Sequence, residues 1–142
     1  MNDIVARRMR AVPQKNTKPE ILVRRLLHRL GLRFRVQKKS LPGTPDIVLR
    51  KYSTAMFIHG CYWHRHPGCK YASTPKTNQD FWLPKFERNV ERDARKEEAL
   101  RALGWRVLVV WECETREPIK LEERLRADFG LPPSIPPGAP ES

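Results

Sequence analysis

The sequence contains no apolar run approaching the roughly 20 residues a helix needs to cross a bilayer. Its basic start, with Arg7, Arg8 and Arg10, is followed by no signal-peptide core. A membrane-spanning or exported chain is therefore not expected, and the cytoplasm is the expected compartment. Acidic residues are also scarce, 16 Asp and Glu against 28 Lys and Arg, for a net charge of +12. That excess points to a polyanionic partner, nucleic acid ahead of an anionic membrane or an acidic protein. Three cysteines, Cys61, Cys69 and Cys113, cannot all be used by internal disulfides. Thiols near histidines suit a metal, the alternative being unrelated buried thiols. No internal repeat is present, and 142 residues fit one compact domain.

Residues 1–16 are basic without sustained periodicity and read as an arm ordered by a partner rather than by its own core. Thr17-Lys18-Pro19-Glu20 has capping-box spacing with Pro in the first turn, and Ile21, Leu22, Val23, Leu26, Leu27 and Leu30 form an apolar stripe ending at Gly31. A helix follows from that pattern. Leu32, Phe34 and Val36 alternate with Arg33 and Arg35, which predicts a strand. After the turn at Pro42-Gly43, Asp46 to Leu49 and Thr54 to His59 read as adjacent antiparallel strands. From Cys61 to Lys76 the chain is rich in Cys, His, Pro, Gly and aromatics, suited to a metal-stapled loop.

A long helix is expected from Asn78 or Asp80, with Pro84 near its first turn, Phe86, Val90, Ala94 and Leu100 or Leu103 inward, and Gly104 at its end. Trp105 to Trp111 is an apolar strand, and Leu121, Leu125 and Phe129 recur at helical spacing before Gly130. Residues 131–142 are Pro-rich and read as a disordered tail, leaving residues 17–130 as the folded domain. The order α-β-β-β-α-β-α describes an α/β fold, a mixed sheet flanked by helices. Short β-to-β connections argue against a doubly wound sheet.

Cys61, His66 and Cys69 stand in a C-x4-H-x2-C arrangement, and Cys113, just after the last strand, could complete a tetrahedral set. His64 competes with His66 as the imidazole. Four such ligands with no open position suit a structural Zn2+, whose binding would offset the cost of ordering the loop.

Pro45-Asp46 opens one strand and His59 ends its neighbour, so a hairpin would bring carboxylate and imidazole to the same sheet end, a hydrolytic arrangement. Phosphodiester cleavage calls for a hard divalent cation, and Mg2+ favours one or two carboxylates, a need that Asp46 fits. The competing reading has Asp46 satisfying backbone donors of its turn. Glu20 either caps its helix or reaches the same metal. His59 and His64 are candidates to move or orient protons, with Asp93 fixing a tautomer, unless Asp93 is one more solvated residue of the run Glu91 to Lys96. Tyr62 and Trp63, beside this site, could wedge between base pairs or pack over the loop.

Leu41-Pro-Gly-Thr-Pro-Asp46, Phe57-Ile-His-Gly-Cys-Tyr-Trp-His64, Phe81-Trp-Leu83, Asn89-Val-Glu-Arg-Asp93 and Gly104-Trp-Arg-Val-Leu-Val-Val-Trp-Glu-Cys113 resemble the very-short-patch repair (Vsr) DNA mismatch endonucleases, over roughly residues 5 to 115. The resemblance implies a restriction-endonuclease-like fold and a magnesium-dependent nick of one strand of double-stranded DNA. The cut falls 5′ of the thymine in a T:G mismatch left by deamination of 5-methylcytosine. It makes Asp46 the Mg2+ ligand with the Ile58 carbonyl, puts His59 and His64 near the scissile phosphate with Asp93 in support, and makes Glu20 accessory. It assigns Zn2+ to Cys61, His66, Cys69 and Cys113, and intercalation to Tyr62, Trp63 and Met9. Lys85 and Asn89 are further candidates for DNA contact.

Two departures accompany the resemblance. His66-Pro67-Gly68-Cys69 is one residue longer than in a known member, and Tyr62 replaces a Phe. Relative to the wider PD-(D/E)xK nucleases the second acid and the Lys are absent, Phe57-Ile58-His59 occupying their place. Cutting one strand of an asymmetric lesion needs no two-fold partner, so a monomer is expected. The rival readings are a zinc-stabilised DNA-binding protein without hydrolytic activity and a related nuclease for another distorted or modified DNA.

Overall fold

The computed structural model describes residues 17–36 and 39–133. The basic arm, Met9 included, and residues 134–142 of the Pro-rich segment lie outside the described residues. Helix α1, Lys18–Arg29, starts where the Thr17 hydroxyl accepts the Glu20 N–H at 3.4 Å, with Pro19 in the first turn. It buries Glu20, Val23, Leu26 and Leu27.

The helix ends on a Schellman motif. The Gly31 N–H bonds to the His28 carbonyl and the Leu32 N–H to that of Leu27, both at 3.0 Å, with Gly31 at φ +78°. This overturns part of the strand expected from Leu32 onward. Leu32 closes the helix end and is buried in the core, so β1 shrinks to Arg35–Val36. Helices α2, Gln79–Ala102, and α3, Pro118–Asp128, end on the same pair of bonds.

The remaining strands are β2, Ile47–Leu49, β3, Thr54–His59, and β4, Arg106–Trp111. They form one sheet in the order β1-β2-β3-β4, antiparallel between β1, β2 and β3 and parallel between β3 and β4. A 3-10 turn at Arg50–Tyr52 closes the hairpin, whereas the parallel pair needs the long crossover that carries α2. The expected mixed α/β sheet with its α-β-β-β-α-β-α order is what the chain forms. Among the described residues no helix is long and apolar enough to cross a membrane.

Strand alternation assigns each side chain to a layer. Met56 and Val110 join α1 and α3 in a core with Val23, Leu27, Ile47, Leu121 and Leu125, while Ala55 and Phe57 face Leu100 of α2. By the same parity His59 points to the α2 side. Helix α2 departs from its expected inward set: only Phe86 and Leu100 are buried, Ala94 is exposed, and Val90 and Leu103 are 44% and 62% exposed. The reason is that the middle of its inner face carries Asp93 over His59 and His64, leaving no apolar layer there. Pro84 falls in the second turn of α2 rather than the first, where it forgoes a helical hydrogen bond.

Candidate active site and metal centre

Asp46 sits immediately before β2, at the sheet end where β3 finishes. Its Oδ2 accepts the Ile58 N–H at 2.8 Å, tying the loop to β3. The loop is pressed against α2: a Cβ on Gly43, φ +74°, would lie 2.7 Å from Lys96 Cγ. Burial pushes the Asp46 carboxyl up to about 6, with the Ile58 hydrogen bond opposing, Glu20 adding its negative charge, and His64 and Lys96 pulling the other way. Glu20 is 4% exposed and pairs with Arg24 at 3.3 Å. The Glu20 N–H donates to the Thr17 cap while its carboxylate adds negative charge beside Asp46.

His59 and His64 lie face to face, centroids 4.0 Å apart with planes at 5°. Asp93, 29 residues along the chain, holds His64 Nδ1 at 2.6 Å. Because a carboxylate accepts, Nδ1 carries the proton and Nε2 is left free to act. Asp93 stays below the usual carboxylate range although burial raises it, because the His64 hydrogen bond and the charges of His64, His59 and Lys96 hold it down. Burial lowers His59 to about 4, helped by the charges of His64 and Lys96 and opposed by Asp93, so its ring is neutral at pH 7. Ligand atoms of His59, His64 and Asp93 lie within 4.8 Å of one another. The two rings lie in separate parallel planes, however, so one ion cannot sit in the plane of both, and the trio suits proton handling better than chelation.

Beside it lies a second cluster. The ligand atoms of Cys61, His66, Cys69 and Cys113 all lie within 4.8 Å of one another, and His64, the competing imidazole, belongs to the other group. The Cys113 N–H donates to Cys61 Sγ at 3.3 Å, and Cys113 Sγ meets His66 Nδ1 at 3.5 Å. Burial pushes the Cys61 thiol up to about 12. A cation in the middle of three thiols is what would release their protons, and three sulfurs with one imidazole fit Zn2+.

Sequence reasoning missed the residue that braces this loop. Arg65, at φ +54°, donates to the carbonyls of Tyr62, Ala72 and Ser73 and to the Thr74 hydroxyl, at 2.9–3.2 Å, and stacks 4.1 Å over Phe86. No local signal announced it. Tyr62 is half-buried, edge-on to Phe86, whereas Trp63 is 38% exposed. Trp63, Lys85, Arg88, Asn89 and Arg92 line an open, basic cleft of about 400 Å³, and Asn89 fixes the Trp63 carbonyl at 3.2 Å. Lys85 lies over the Phe81 ring at 4.4 Å.

The mixed sheet is consistent with the restriction-endonuclease-like α/β fold, and a carboxylate beside paired imidazoles at one of its ends is an arrangement suited to hydrolysis. The family model described as DNA mismatch endonuclease Vsr matches residues 5–70. The chain is 54% identical over 118 residues to the type II nicking enzyme V.XorIIP of Xanthomonas oryzae, covering 83% of this chain and 86% of that one. It is 48% identical over 117 residues to the type II nicking enzyme V.NmeAIP of Neisseria meningitidis, covering 82% and 83%. The DNA mismatch endonuclease Vsr of Escherichia coli is 47% identical over 118 residues, covering 83% of this chain and 75% of that one. The chain belongs to the Vsr family of DNA mismatch endonucleases and is an endonuclease.

Proposed function

We propose that this enzyme nicks one strand of double-stranded DNA on the 5′ side of the thymine of a T:G mismatch, acting as a monomer in the bacterial cytoplasm on nucleoid DNA. The reading is carried by the His64–Asp93 pair, stacked on His59 at the sheet end that presents Asp46. Residues 17–130 form the endonuclease domain, and Met9 of the arm joins Tyr62 and Trp63 at the distorted base step.

Mg2+ fits Asp46 because its carboxylate is made costly to ionise by burial and by Glu20, the condition a cation relieves. A strand residue points its N–H and C=O the same way, so the Ile58 carbonyl faces the edge where Asp46 takes the Ile58 N–H. Asp46 and this carbonyl are the expected Mg2+ ligands, with Glu20 accessory. Bound there, Mg2+ supplies positive charge to the scissile phosphate. His64, its Nδ1–H held by Asp93, presents Nε2 to take the proton of the attacking water, a contribution of about 10²–10⁴-fold. Neutral His59 keeps the His64 ring in line. Zn2+ at Cys61, His66, Cys69 and Cys113 fixes the loop that carries Tyr62 and Trp63. Lys85 and Asn89 hold DNA at the cleft.

End-labelled duplexes carrying T:G or T:A at one position test this, with Asp46→Ala as control. Expected is magnesium-dependent cutting of the thymine strand of the T:G duplex, absent in the variant. Equal cutting of both duplexes, or tight binding of the T:G duplex without cutting, rejects the mismatch assignment.

A further inference from the structure

Trp111 separates the two clusters. It is the last residue of β4 and pairs in register with His59, the last of β3. One side of its indole stacks on His66, centroids 4.2 Å apart at 12°, and His59 meets it in a T-shaped contact at 5.3 Å and 73°. His59 then stacks on His64, which Asp93 holds. The rings of His66, Trp111, His59 and His64 thus run in unbroken contact from the Cys3His cluster to the proton-handling pair.

Among the described residues the His59 ring is held by ring contacts, those to Trp111 and His64 and a tilted one to Phe57 at 5.6 Å. Its orientation therefore depends on packing. His66 has its Nδ1 turned to Cys113 Sγ, so a metal in the cluster fixes the plane against which Trp111 lies. We propose that Trp111 is a positioning residue that couples the metal-bound state of the Cys3His cluster to the orientation of His59 and, through it, of His64. The kinetic part of this inference rests on the function proposed above; the structural part does not.

The test uses the full chain with Trp111→Leu, which removes the ring, and Trp111→Phe, which keeps one. Readouts are metal content, the side-chain 15N resonances of the four histidines, and kcat and KM on the T:G duplex. Both variants should hold roughly one zinc per chain. In Trp111→Leu the His59 and His64 ring signals should move while that of His28 stays, and kcat should fall about 10- to 100-fold with KM within about twofold, as expected for a misplaced catalytic group. Trp111→Phe should recover most of the rate. A folded, zinc-loaded Trp111→Leu protein with unmoved His59 and His64 signals overturns the proposal.

Should Trp111→Leu fail to fold or to hold zinc, exchange of Zn2+ for Cd2+ in the wild-type chain decides. Movement of the His59 signal supports the coupling, and an unmoved signal overturns it. A wild-type chain that cuts no T:G duplex defeats the proposed function but leaves the resonance tests of Trp111 intact.

Discussion

Replacing Asp46 by asparagine should stabilise the magnesium-free protein while abolishing its cutting. Burial raises the carboxyl from 3.8 to about 6. By linkage, a folded pKa above the unfolded one means that the native state binds the extra proton between those values, so stability falls as pH rises through that window. At about 1.4 kcal/mol per pH unit, the charged carboxylate costs the fold about 3 kcal/mol at pH 7. The substituted amide can still accept the Ile58 N–H through its carbonyl oxygen, but carries no charge.

The variant should therefore match wild type near pH 4 and exceed it by about 2–3 kcal/mol at pH 7 and above. His59 contributes the opposite slope: its folded value of about 4 lies below 6.5, so stability is lost as pH falls through that range. The wild-type profile should be nearly level between these limits, and Asp46→Asn should expose the His59 slope. Urea unfolding from pH 4 to 8, with zinc retained and magnesium omitted, measures both. A stability difference that does not change with pH, or a variant weaker than wild type at pH 7, refutes the reasoning.

Asp93→Asn should leave duplex binding intact but lower kcat by about 10²–10⁴-fold, because His64 loses the acceptor that fixes its tautomer; single-turnover rates equal to wild type would contradict that role. Stripping the Cys3His metal should open residues 61–76, since metal binding of this kind is worth about 10–16 kcal/mol against a typical domain stability of about 5–15 kcal/mol. Limited proteolysis of chelated protein checks this, and a cleavage pattern like that of the metal-loaded chain excludes it. Gly43→Ala meets both a left-handed backbone and the Lys96 stem at 2.7 Å, so it should lose about 1–2 kcal/mol or more, with slower cutting as the Asp46 loop shifts. A thermal midpoint within 1 °C of wild type, on the order of the scatter of such melts, would show that the loop is not clamped there.

What could be seen in the sequence was whatever local pattern determines. Thr17-Lys-Pro-Glu20 and the stripe behind it specify α1 without help from the rest of the chain, and two short apolar runs separated by the polar residues 50–53 specify the β2–β3 hairpin. Leu32 shows the limit of periodicity, because alternation cannot reveal that its N–H is already engaged at the end of α1. Helix α2 hid its function for a related reason. Its inner face is polar in the middle, so the run Glu91 to Lys96 left Asp93 readable either as solvated or as the partner of an imidazole, and the 2.6 Å contact to His64 joins residues 29 apart in the chain. Trp111 read simply as a strand residue, and Arg65 as one more basic side chain in an irregular loop. Their roles arise from contacts with other elements.

Cys61, Tyr62, Trp63 and His64 are consecutive, which bears on how the proposed enzyme distinguishes mismatched from paired DNA. The proposed metal ligand, wedge aromatics and proton acceptor share one short segment, braced at the back by Arg65 and at the side by Asn89. Backbone displacement of the aromatics would pull on His64, which Asp93 holds at 2.6 Å. Unstacking a base step costs a few kcal/mol, and less where pairing is already defective. On a matched duplex that cost is either met in full or relieved by pushing the segment back, which disorganises the imidazoles. About 2.7 kcal/mol of either kind corresponds to about a hundredfold in rate. Discrimination would then reside in the cutting step as much as in binding, and lengthening the segment by one glycine between Trp63 and His64 should narrow the T:G to T:A rate ratio by lowering the T:G rate. A ratio that survives the insertion would place discrimination entirely in binding.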